Sequence, residues 1–569
     1  MDVDVGPIVA IYLRRGEKKD IIRIPFYPKI YVRERDFYRF EKMFGDMIID
    51  VDFLISRLGL KEKTHLVEIR VSYDDYTKLR KIYRKLSYEI FHIDIYVEHM
   101  VIRAPSLNPI DIKIREGIVR GEYLWGLRSE IPPELRIFYL ERERDYWRIM
   151  SYGGGEAEIF ESLDDFLACY DPDIVISKHK VRRRGVLSIE PDRLEFGVEG
   201  IFEKAYFTYA MPRRTVDLTI GNSVESRQTH YALEMGIVLP QKENSNTYVG
   251  KLDEYMEVDV GGLIITPTPG IYENVVALDF SSLFPHIIVR YNLSYENVSL
   301  RGIGDIEGKG FLPFIVEEPL ERRMYFKKIG RSDAKNRADM LKLLLVSCYG
   351  YAGKLDNRFG NFLVNFWINK LSREILLWLI SEAKRLGLEV LYADTDSLFV
   401  HGDEEKIYWL IKSADNRGFP LNIEYSFRRL VFIRGRNGMP VVKRYYGVTW
   451  DGDIIVKGLM AVNRSAPRIV REFQMELISD ILNGGKAHGK ILERYIKKVI
   501  TCKDMDMFKA IVRFGKNAED YENNSWIARL ARTIGAKEEM RQKYYTHLAG
   551  QRHLNIRWRN TASKKSYRF

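Results

Sequence analysis

The sequence predicts a mixed α+β protein built from several domains. The chain of 569 residues is longer than one hydrophobic core usually organises, so about three to five domains or subdomains are expected. Short β-like runs alternate with helical patterns in the first part of the chain, and helical patterns dominate after residue 460. Hydrophobic residues make up 46% of the chain and charged residues 30%, which is typical of a globular protein.

The net charge of +11 favours a polyanionic partner, with nucleic acid first and an anionic membrane surface second. The N-terminal segment Met1–Tyr12 lacks a basic stretch followed by an apolar run, so no signal peptide is expected. No stretch reaches about 18 consecutive apolar residues, so no membrane span is expected either. The three cysteines form no CxxC pair, which favours a reducing, cytoplasmic location.

The first hundred residues combine short strands with one helix. Strands are predicted at Pro7–Tyr12 and Ile21–Val32, and a helix is predicted at Tyr76–Leu86. A domain boundary is expected near residue 105, at Ala104–Ser106.

The following block, up to residue 225, has a βαβ-like pattern. Arg136–Leu140 and Asp173–Ser177 read as buried strands, and Leu163–Tyr170 reads as a helix between them.

From residue 226 the pattern changes again. A strand is predicted at Glu273–Phe280, and two helices at Phe314–Ile329 and Ala334–Tyr349. The short break between the helices, Gly330–Asp333, predicts an antiparallel helical hairpin.

The last part of the chain begins with Leu388–His401, which reads as a strand, a tight turn and a strand. Residues 441–460 are again β-like, and residues 461–569 are predicted to be mostly helical with a basic tail.

Three aspartates lie where strands end. Asp279 ends one predicted strand, and Asp394 and Asp396 occupy the turn of the later hairpin. Two divalent ions about 3.5–4 Å apart can hold the attacking and leaving oxygens of a phosphoryl transfer. Hard ions such as Mg²⁺ take oxygen ligands, and clustered carboxylates repel one another without a cation. Taken singly, each of these residues is better explained as a solvated turn aspartate.

The residues around these acids carry a specific resemblance. The segment 279–288, with Asn292–Ser294 after it, resembles the first palm motif of family B DNA polymerases, and Tyr392–Ser397 resembles their YGDTDS motif. The resemblance implies a right-hand polymerase architecture of palm, fingers and thumb, with an N-terminal domain and a ribonuclease-H-like exonuclease remnant. It also implies two Mg²⁺ ions, for which Mn²⁺ can substitute, bridged by Asp279 and Asp396.

In the same resemblance, Asp394 is the accompanying acid and Phe280 contributes a metal ligand through its backbone carbonyl. The implied domains are an N-terminal β-rich domain, a degenerate exonuclease-like domain, a palm in two parts, a fingers hairpin and a thumb with a basic tail. Their expected bounds, in chain order, are 1–105, 106–225, 226–312, 313–352 (fingers), 353–460 (second part of the palm) and 461–569.

Three cations on the predicted hairpin could hold a triphosphate. Arg323 and Lys327 are spaced i, i+4 on one helix face, and Lys342 lies on the second helix. From spacing alone a solvated basic face is the simpler explanation. The segment 342–350 resembles the family's KLLANSxYG motif, which implies nucleotide binding by these cations and by Tyr349. Val346 stands where the family has Asn, which puts the geometry of the bound nucleotide in doubt.

The residues after Asp279 complete the expected nucleotide site. By resemblance, Ser282, Leu283 and Phe284 contact the nucleotide, and Phe284 replaces a Tyr that lies under the sugar. Phe keeps the ring that clashes with a 2′-hydroxyl, so a preference for deoxynucleotides is expected.

Two later motifs are expected to bind primer and template. Lys443, Arg444 and Tyr445 resemble the family's KxY motif. Lys457, Gly458 and Arg464 resemble the following KGLE…RRD stretch, in which Ser465 replaces an Asp. Contacts of this type set the register on the backbone and carry no sequence information. A further pair, Gly261-Gly262, partly matches the family's YxGG element, with Asp259 in the aromatic position.

The expected proofreading domain has lost its acids. Phe138–Glu141 resembles the family's FDIE motif, but Tyr139 replaces its Asp. The basic run Lys178–Arg184 stands where an Asn and an Asp are expected, and the third motif is missing. Glu141 alone cannot hold two metals, so exonuclease activity is predicted to be absent. The basic run either contacts a nucleic-acid backbone or is a solvated loop.

The resemblance therefore predicts a DNA-directed DNA polymerase without proofreading, like a short archaeal branch of the family, acting in repair or lesion bypass. Its expected partners are primer-template DNA, deoxynucleoside triphosphates and a sliding clamp or accessory subunits, in a nucleoid-associated setting without a membrane. The alternative is a catalytically weak or inactive polymerase-fold scaffold that binds DNA. The tail Gln551–Phe569 either contacts duplex phosphates or is a solvated end, and it only weakly resembles a clamp-binding box.

Overall fold

The computed structural model describes most of the chain between residues 2 and 545. The described ranges are 2–4, 8–15, 18–60, 63–95, 98–101, 109–115, 118–123, 135–183, 186–210, 212–242, 261–354, 357–435, 437–502, 504–513, 517–520, 528–529, 532 and 541–545. Contacts divide the chain into two compact units. The first unit comprises Met1–Gly261 and Ser282–Ser372, and the second comprises Gly262–Ser281 and Arg373–Phe569. Within the described ranges, no helix is both long enough and apolar enough to cross a membrane.

The first unit contains thirteen of the described strands, in four sheets. The strands are β1 Asp2–Asp4, β2 Ile8–Arg15, β3 Lys18–Pro25, β4 Lys29–Arg33, β5 Ile48–Arg57, β6 Lys63–Val71, β7 Pro109–Arg115, β8 Ile118–Tyr123, β9 Ile137–Arg142, β10 Trp147–Ser151, β11 Glu158–Phe160, β12 Ile174–Ile176 and β13 Leu187–Ile189. The sheet orders are β1-β2-β3, β4-β6-β5, β7-β8 and β11-β10-β9-β12-β13.

The helices of the first unit cover these strands or form the hairpin. They are α1 Glu34–Phe44, α2 Tyr73–Ile82, α3 Glu98–Val101, α4 Leu163–Tyr170, α5 Gly197–Thr208, α6 Pro212–Asp217, α7 Ile220–Glu234, α8 Leu283–Arg290, α9 Phe311–Ile329 and α10 Ser332–Ala352. Helix α11, Phe362–Arg385, continues from the first unit into the second.

The second unit is built on one seven-stranded antiparallel sheet of order β14-β16-β17-β15-β18-β19-β20. Its strands are β14 Ile264–Ile265, β15 Gly270–Phe280, β16 Glu389–Asp394, β17 Ser397–His401, β18 Leu421–Arg434, β19 Pro440–Thr449 and β20 Ile454–Lys457. The remaining elements are α12 Glu404–Asn416, α13 Arg468–Leu482, α14 His488–Thr501, β21 Lys509–Arg513 and β22 Arg541–Tyr545.

The N-terminal part confirms the predicted strand near residue 8 but not a single strand over Ile21–Val32. That segment forms two strands, β3 and β4, in two different sheets. Pro25 and Pro28 explain the break, because proline has no N–H to give to a strand ladder. The predicted helix begins earlier than expected, at Tyr73, because the Ser72 hydroxyl caps it by accepting the Asp75 N–H at 3.1 Å.

The five-stranded sheet of the first unit confirms the predicted βαβ pattern. Strand β12 lies parallel to both β9 and β13, β10 lies antiparallel to β9, and α4 lies between β9 and β12 in the sequence. This strand order agrees with the ribonuclease-H-like arrangement expected for the segment. One face packs Val175 against Phe166 of α4, and the other packs Ile176 against Ile201 and Ala205 of α5.

The predicted helical hairpin is present, and both of its helices are longer than expected. Helices α9 and α10 are joined at Gly330, whose φ of +75° is a left-handed conformation that suits glycine. The hairpin is held to α5 by a fully buried ion cluster. Arg322 donates two hydrogen bonds to Glu203, at 2.6 and 3.1 Å, and Arg337 Nη1 lies 3.6 Å from the same carboxylate.

The C-terminal part is less helical than the sequence predicts. Helices α13 and α14 are present, but Lys509–Arg513 and Arg541–Tyr545 pair as antiparallel strands. Both strands have only five residues and carry many basic side chains, so their hydrophobic periodicity is too weak to indicate strands. The tail Gln551–Phe569 lies outside the described residues.

The buried ion cluster gives a test of how the hairpin is held. Replacing Glu203 with Gln keeps the shape of the side chain but leaves two buried guanidinium groups without their negative partner. We expect the free energy of unfolding to fall by about 3–5 kcal/mol, as measured by urea titration with circular dichroism. The control is Glu195→Gln, an exposed position just before the same helix, for which a change below about 0.5 kcal/mol is expected. Equal effects of the two variants would contradict a structural role for the cluster.

Candidate active site

The three predicted acids of the second unit lie at one end of its sheet. Strand β17 runs between β15 and β16, and its first residue, Ser397, pairs with Asp279 on one side and Asp394 on the other. Residues that pair directly in an antiparallel sheet project from the same face. Since adjacent strands are about 4.8 Å apart, the two aspartates lie on that face about 10 Å from each other along the row.

Asp396 lies next to this row, in the tight turn between β16 and β17. The Phe280 N–H donates to the Asp396 carbonyl at 2.9 Å, so Asp396 is a diagonal neighbour of Asp279 across the two strands. The turn depends on Thr395, whose φ of +57° is left-handed and whose N–H donates to the Leu263 carbonyl at 2.8 Å.

Of the two glycines in the predicted Gly261-Gly262 pair, Gly262 is required by its close contact with Thr395. A Cβ at this position would lie 2.6 Å from Thr395 Oγ1, so a larger residue would push the acid-bearing turn away. Asp259, the other residue of that predicted element, lies outside the described residues.

The Asp394 carboxylate contacts three neighbouring side chains, and the sequence alone did not indicate these contacts. The Tyr392 hydroxyl donates to Oδ2 at 3.0 Å, the Thr395 hydroxyl donates to Oδ1 at 3.0 Å, and Lys443 Nζ lies 3.4 Å from Oδ1. Burial raises the pKa of Tyr392, so its hydroxyl stays protonated and remains a donor. The same hydroxyl accepts the Lys443 N–H at 3.1 Å and thereby connects the acids to strand β19.

The KxY segment is shaped by an unusual backbone contact. Lys443 has a φ of +60°, and Gly458, with a φ of +66°, lies so close that a Cβ there would overlap the Lys443 carbonyl oxygen. The two predicted primer motifs therefore contact each other through the backbone. The Lys443 side chain is 61% exposed, and Arg444 is exposed beside it.

The other predicted primer-binding residues differ in exposure. Tyr445 is only 7% exposed and packs in an aromatic cluster with Tyr392 and Phe432, where burial raises its pKa. Lys457 pairs with Tyr445 across β19 and β20 and is exposed, as is Arg464. Tyr445 thus positions the segment, whereas the basic side chains face solvent.

The predicted nucleotide site of the first unit is built around Ser282. This residue has a left-handed φ of +60°, just before helix α8, and its hydroxyl accepts a hydrogen bond from Arg323 Nη1. Arg323 is therefore 6% exposed, while Lys327, one turn further along α9, and Lys342 on α10 are exposed.

The ring of Phe284 is supported from α10. Its centroid lies 4.6 Å from that of Tyr349, and the Tyr349 hydroxyl donates to Asn369 Oδ1 of α11 at 3.0 Å. Leu283 is buried beside it. Val346, which replaces the family Asn, is 53% exposed and lies one turn after Lys342. No sequence signal pointed to Asn369, because its role depends on a contact between two helices.

The exonuclease-like sheet has no metal-binding geometry at its degenerate motif. The Tyr139 ring is half-buried and stacks on Tyr152, with centroids 5.6 Å apart, and Glu141 is exposed on the same strand. Throughout the described ranges, no three His, Cys, Asp or Glu residues form a group that could hold a metal ion.

The acids of the second unit still fit Mg²⁺ by the chemistry of their donors. Carboxylate and carbonyl oxygens are the ligands that this ion prefers, and it commonly uses one or two carboxylates together with substrate phosphates instead of a complete protein cage. Asp279, Asp396 and the Phe280 carbonyl supply oxygen donors of this kind, and Asp394 receives two hydroxyl hydrogen bonds and a lysine ammonium.

Comparisons with known proteins agree with these motifs. Residues 214–307 match the model of DNA polymerase family B, a range that includes Asp279. DNA polymerase 2 of Saccharolobus solfataricus is 29% identical over 434 residues, which cover 73% of this chain and 62% of the relative. DNA polymerase 2 of Aeropyrum pernix is 27% identical over 353 residues, covering 56% of this chain and 42% of the relative.

The fold also matches a solved structure, that of the family B DNA polymerase from Pyrobaculum calidifontis. The TM-score is 0.68 at 18% identity, and the match covers 98% of this chain and 95% of that chain. This likeness confirms the predicted mixed multidomain fold. The chain spans less than two thirds of the length of the two sequence relatives. The family model, the relatives and the fold all show a similarity of this chain to family B DNA polymerases.

Proposed function

We propose that the chain is a DNA-directed DNA polymerase that adds deoxynucleotides to the 3′ end of a primer. One observation carries the proposal: Asp279, Asp394 and Asp396 lie at one end of a single sheet, and Lys443 lies against them. Mutually repelling acids cost stability, so a protein that only binds DNA gains nothing from them.

We assign the metal-binding role to Asp279, Asp396 and the Phe280 carbonyl. Two Mg²⁺ ions, or Mn²⁺ in their place, would neutralise the charge that develops during phosphoryl transfer and lower the pKa of the attacking hydroxyl. Asp394 acts by position: it holds the Lys443 ammonium, and the Tyr392 hydroxyl bonded to it fixes the Lys443 backbone. These contacts fix the position of Lys443 on the proposed primer-binding strand relative to Asp394.

The hairpin cations are assigned to the triphosphate. Lys327 and Lys342 are exposed point charges suited to the phosphates, and Arg323 supports the nucleotide site by binding Ser282. The Phe284 ring, packed on Tyr349, is placed to exclude a 2′-hydroxyl and so to select deoxynucleotides. Val346 cannot supply the hydrogen bonds of the family Asn, which weakens nucleotide positioning without removing the chemistry.

Primer and template contacts are assigned to Lys443, Arg444, Lys457 and Arg464, whose exposed cations suit backbone phosphates. Tyr445 and Gly458 act by positioning them. We retain the palm, fingers and thumb bounds expected from the sequence.

We further propose that the chain lacks 3′–5′ proofreading and acts in repair or lesion bypass. The stacked Tyr139 and the exposed Glu141 support this, since neither provides a cluster of carboxylates. A polymerase that cannot excise its last nucleotide does not remove one that it has placed opposite a damaged base.

The metal-binding role predicts the effect of single substitutions. Asp279→Asn and Asp396→Asn each lower primer extension at least about a hundredfold, because charge stabilisation in the transition state is lost. Extension of a labelled primer-template with Mg²⁺, and separately with Mn²⁺, measures this. The control is Asp451→Asn, an exposed turn aspartate on the same sheet, which should extend normally. Unchanged extension by both acid variants would rule out the mechanism. Primer-template binding without extension by any of the proteins would instead indicate a scaffold.

The backbone contact between the primer motifs predicts a second effect. Gly458→Ala displaces Lys443 and lowers kcat/KM for extension by about tenfold to a hundredfold, since small misplacements at a reacting centre have effects of this size. Gly438→Ala is the matched control. It has a similar left-handed φ of +77° in the same part of the chain, but a Cβ there has no neighbour within 4 Å. If kcat/KM fell equally in the two variants, backbone strain alone would explain the loss, and the contact with Lys443 would not be its cause.

The proposed absence of proofreading predicts that a labelled mismatched primer is not shortened without nucleotides, in Mg²⁺ or Mn²⁺, because the described residues of the ribonuclease-H-like sheet form no group that could hold a metal ion. Denaturing gel electrophoresis measures the primer length. Shortening by the wild-type protein that disappears in Glu141→Ala would overturn this part of the proposal.

A further inference from the structure

A basic cavity lies beside the ribonuclease-H-like sheet of the first unit. Its volume is about 730 Å³, and its basic lining residues come from three separate segments. Lys180, Arg182 and Arg183 follow strand β12, Arg193 follows β13, and Arg213 lies on α6.

The cavity carries a net positive charge. Besides the five basic residues, its lining includes two acids, Glu190 and Asp217, so the formal balance is five minus two, or +3. Lys180, Arg182, Arg183 and Arg193 are all exposed and form no ion pair with any residue in the described ranges. Burial, and after it the positive charge of Arg193, lower the pKa of the neighbouring Lys204 to about 8.

Buried side chains and hydrogen bonds fix the conformation of the segment that carries Lys180, Arg182 and Arg183. Val181 and Val186 are buried in the core of the sheet, so Lys180 and Arg182 project on either side of an anchored residue. The Val181 N–H donates to Ser188 Oγ at 3.1 Å, and the His179 N–H donates to Ser177 Oγ at 3.1 Å. Holding like charges together on a fixed loop is unfavourable unless an anion neutralises them.

The position in the fold also indicates a binding site. Strands β12 and β13 are parallel, and the described residues 177–183 leave the carboxyl end of β12. Ligands of open α/β sheets bind outside the carboxyl ends of parallel strands.

We propose that this cavity binds the phosphodiester backbone of single-stranded nucleic acid. Its volume lies within the range of about 300–1,000 Å³ typical of small-molecule sites, which suits a few nucleotides of a single strand and is too small for a duplex. No aromatic residue is present among its described lining residues, so bases have no stacking platform. Binding therefore depends on phosphates, is independent of sequence and is sensitive to salt.

The test uses the full chain and a labelled single-stranded oligothymidylate, measured by fluorescence anisotropy over a series of salt concentrations. The triple variant Arg182→Gln/Arg183→Gln/Arg193→Gln should raise Kd at least about tenfold at low salt. It should also reduce the slope of log K against log salt by about 2, since each phosphate contact on a single strand contributes about 0.7. Each single variant should show about one third of the change in slope, which keeps the test valid if the triple variant fails to fold.

The matched control removes the same number of charges from an exposed part of the same unit. Arg80→Gln/Lys81→Gln/Lys85→Gln should change Kd less than twofold. Equal changes in the two triple variants, or no change in the cavity variant, would overturn the proposal. Binding of inorganic triphosphate that depends on the cavity, without cavity-dependent binding of the oligonucleotide, would overturn it as well. The measurement uses no nucleotide and no divalent metal, so its outcome is independent of polymerase activity.

Discussion

The pairing of β15 with β17 is the constraint on which the candidate active site depends. Asp279 faces Ser397, and the same register brings the Phe280 N–H to the Asp396 carbonyl. In the neighbouring pair of β16 and β17, Asp394 lies opposite the same Ser397. A slip of one residue would turn Asp279 to the opposite face of the sheet. The apolar residues of β15 prevent the slip, because Val275, Ala277 and their neighbours across the sheet form its core.

A second set of contacts connects the acids to strand β19, which carries the predicted primer motif. The Tyr392 hydroxyl donates to Asp394 and accepts from the Lys443 backbone, so one protonated side chain fixes both an acid and a cation. The left-handed Lys443 needs Gly458 beside it, which joins two motifs that are separate in the sequence. Gly458 and the buried Tyr445 thus shape the strand on which the exposed cations Lys443 and Arg444 lie.

The sequence was sufficient for elements whose signals are local. Strand β15, helix α4, the helical hairpin and the turn at Asp394 all have strong periodicity or turn residues nearby. The prediction of a single strand over Ile21–Val32 was wrong, because Pro25 and Pro28 interrupt that segment. Strands β21 and β22 were not predicted, because such short segments have little hydrophobic pattern. The contacts around the acids could not be predicted in the same way. Tyr392 and Lys443 are 51 residues apart, and their hydrogen bond exists only because four successive strand pairings connect β16 to β19.

The two sheets carry different charges at the strand ends discussed above, with aspartates in the second unit and cations beside the ribonuclease-H-like sheet. Carboxylates on a fixed strand end are stable only with a cation, so a sheet that keeps them keeps a reason to bind metal. In the ribonuclease-H-like sheet, the ring of Tyr139 stacks on Tyr152 and needs no ion. Once the acids are absent, cations at the same carboxyl end no longer compete with a metal and can attract phosphates directly. A strand bound there would meet no metal-activated nucleophile. On this reasoning, the proposed absence of cleavage chemistry and the proposed strand binding both follow from neutral and basic residues standing where the resemblance leads one to expect acids.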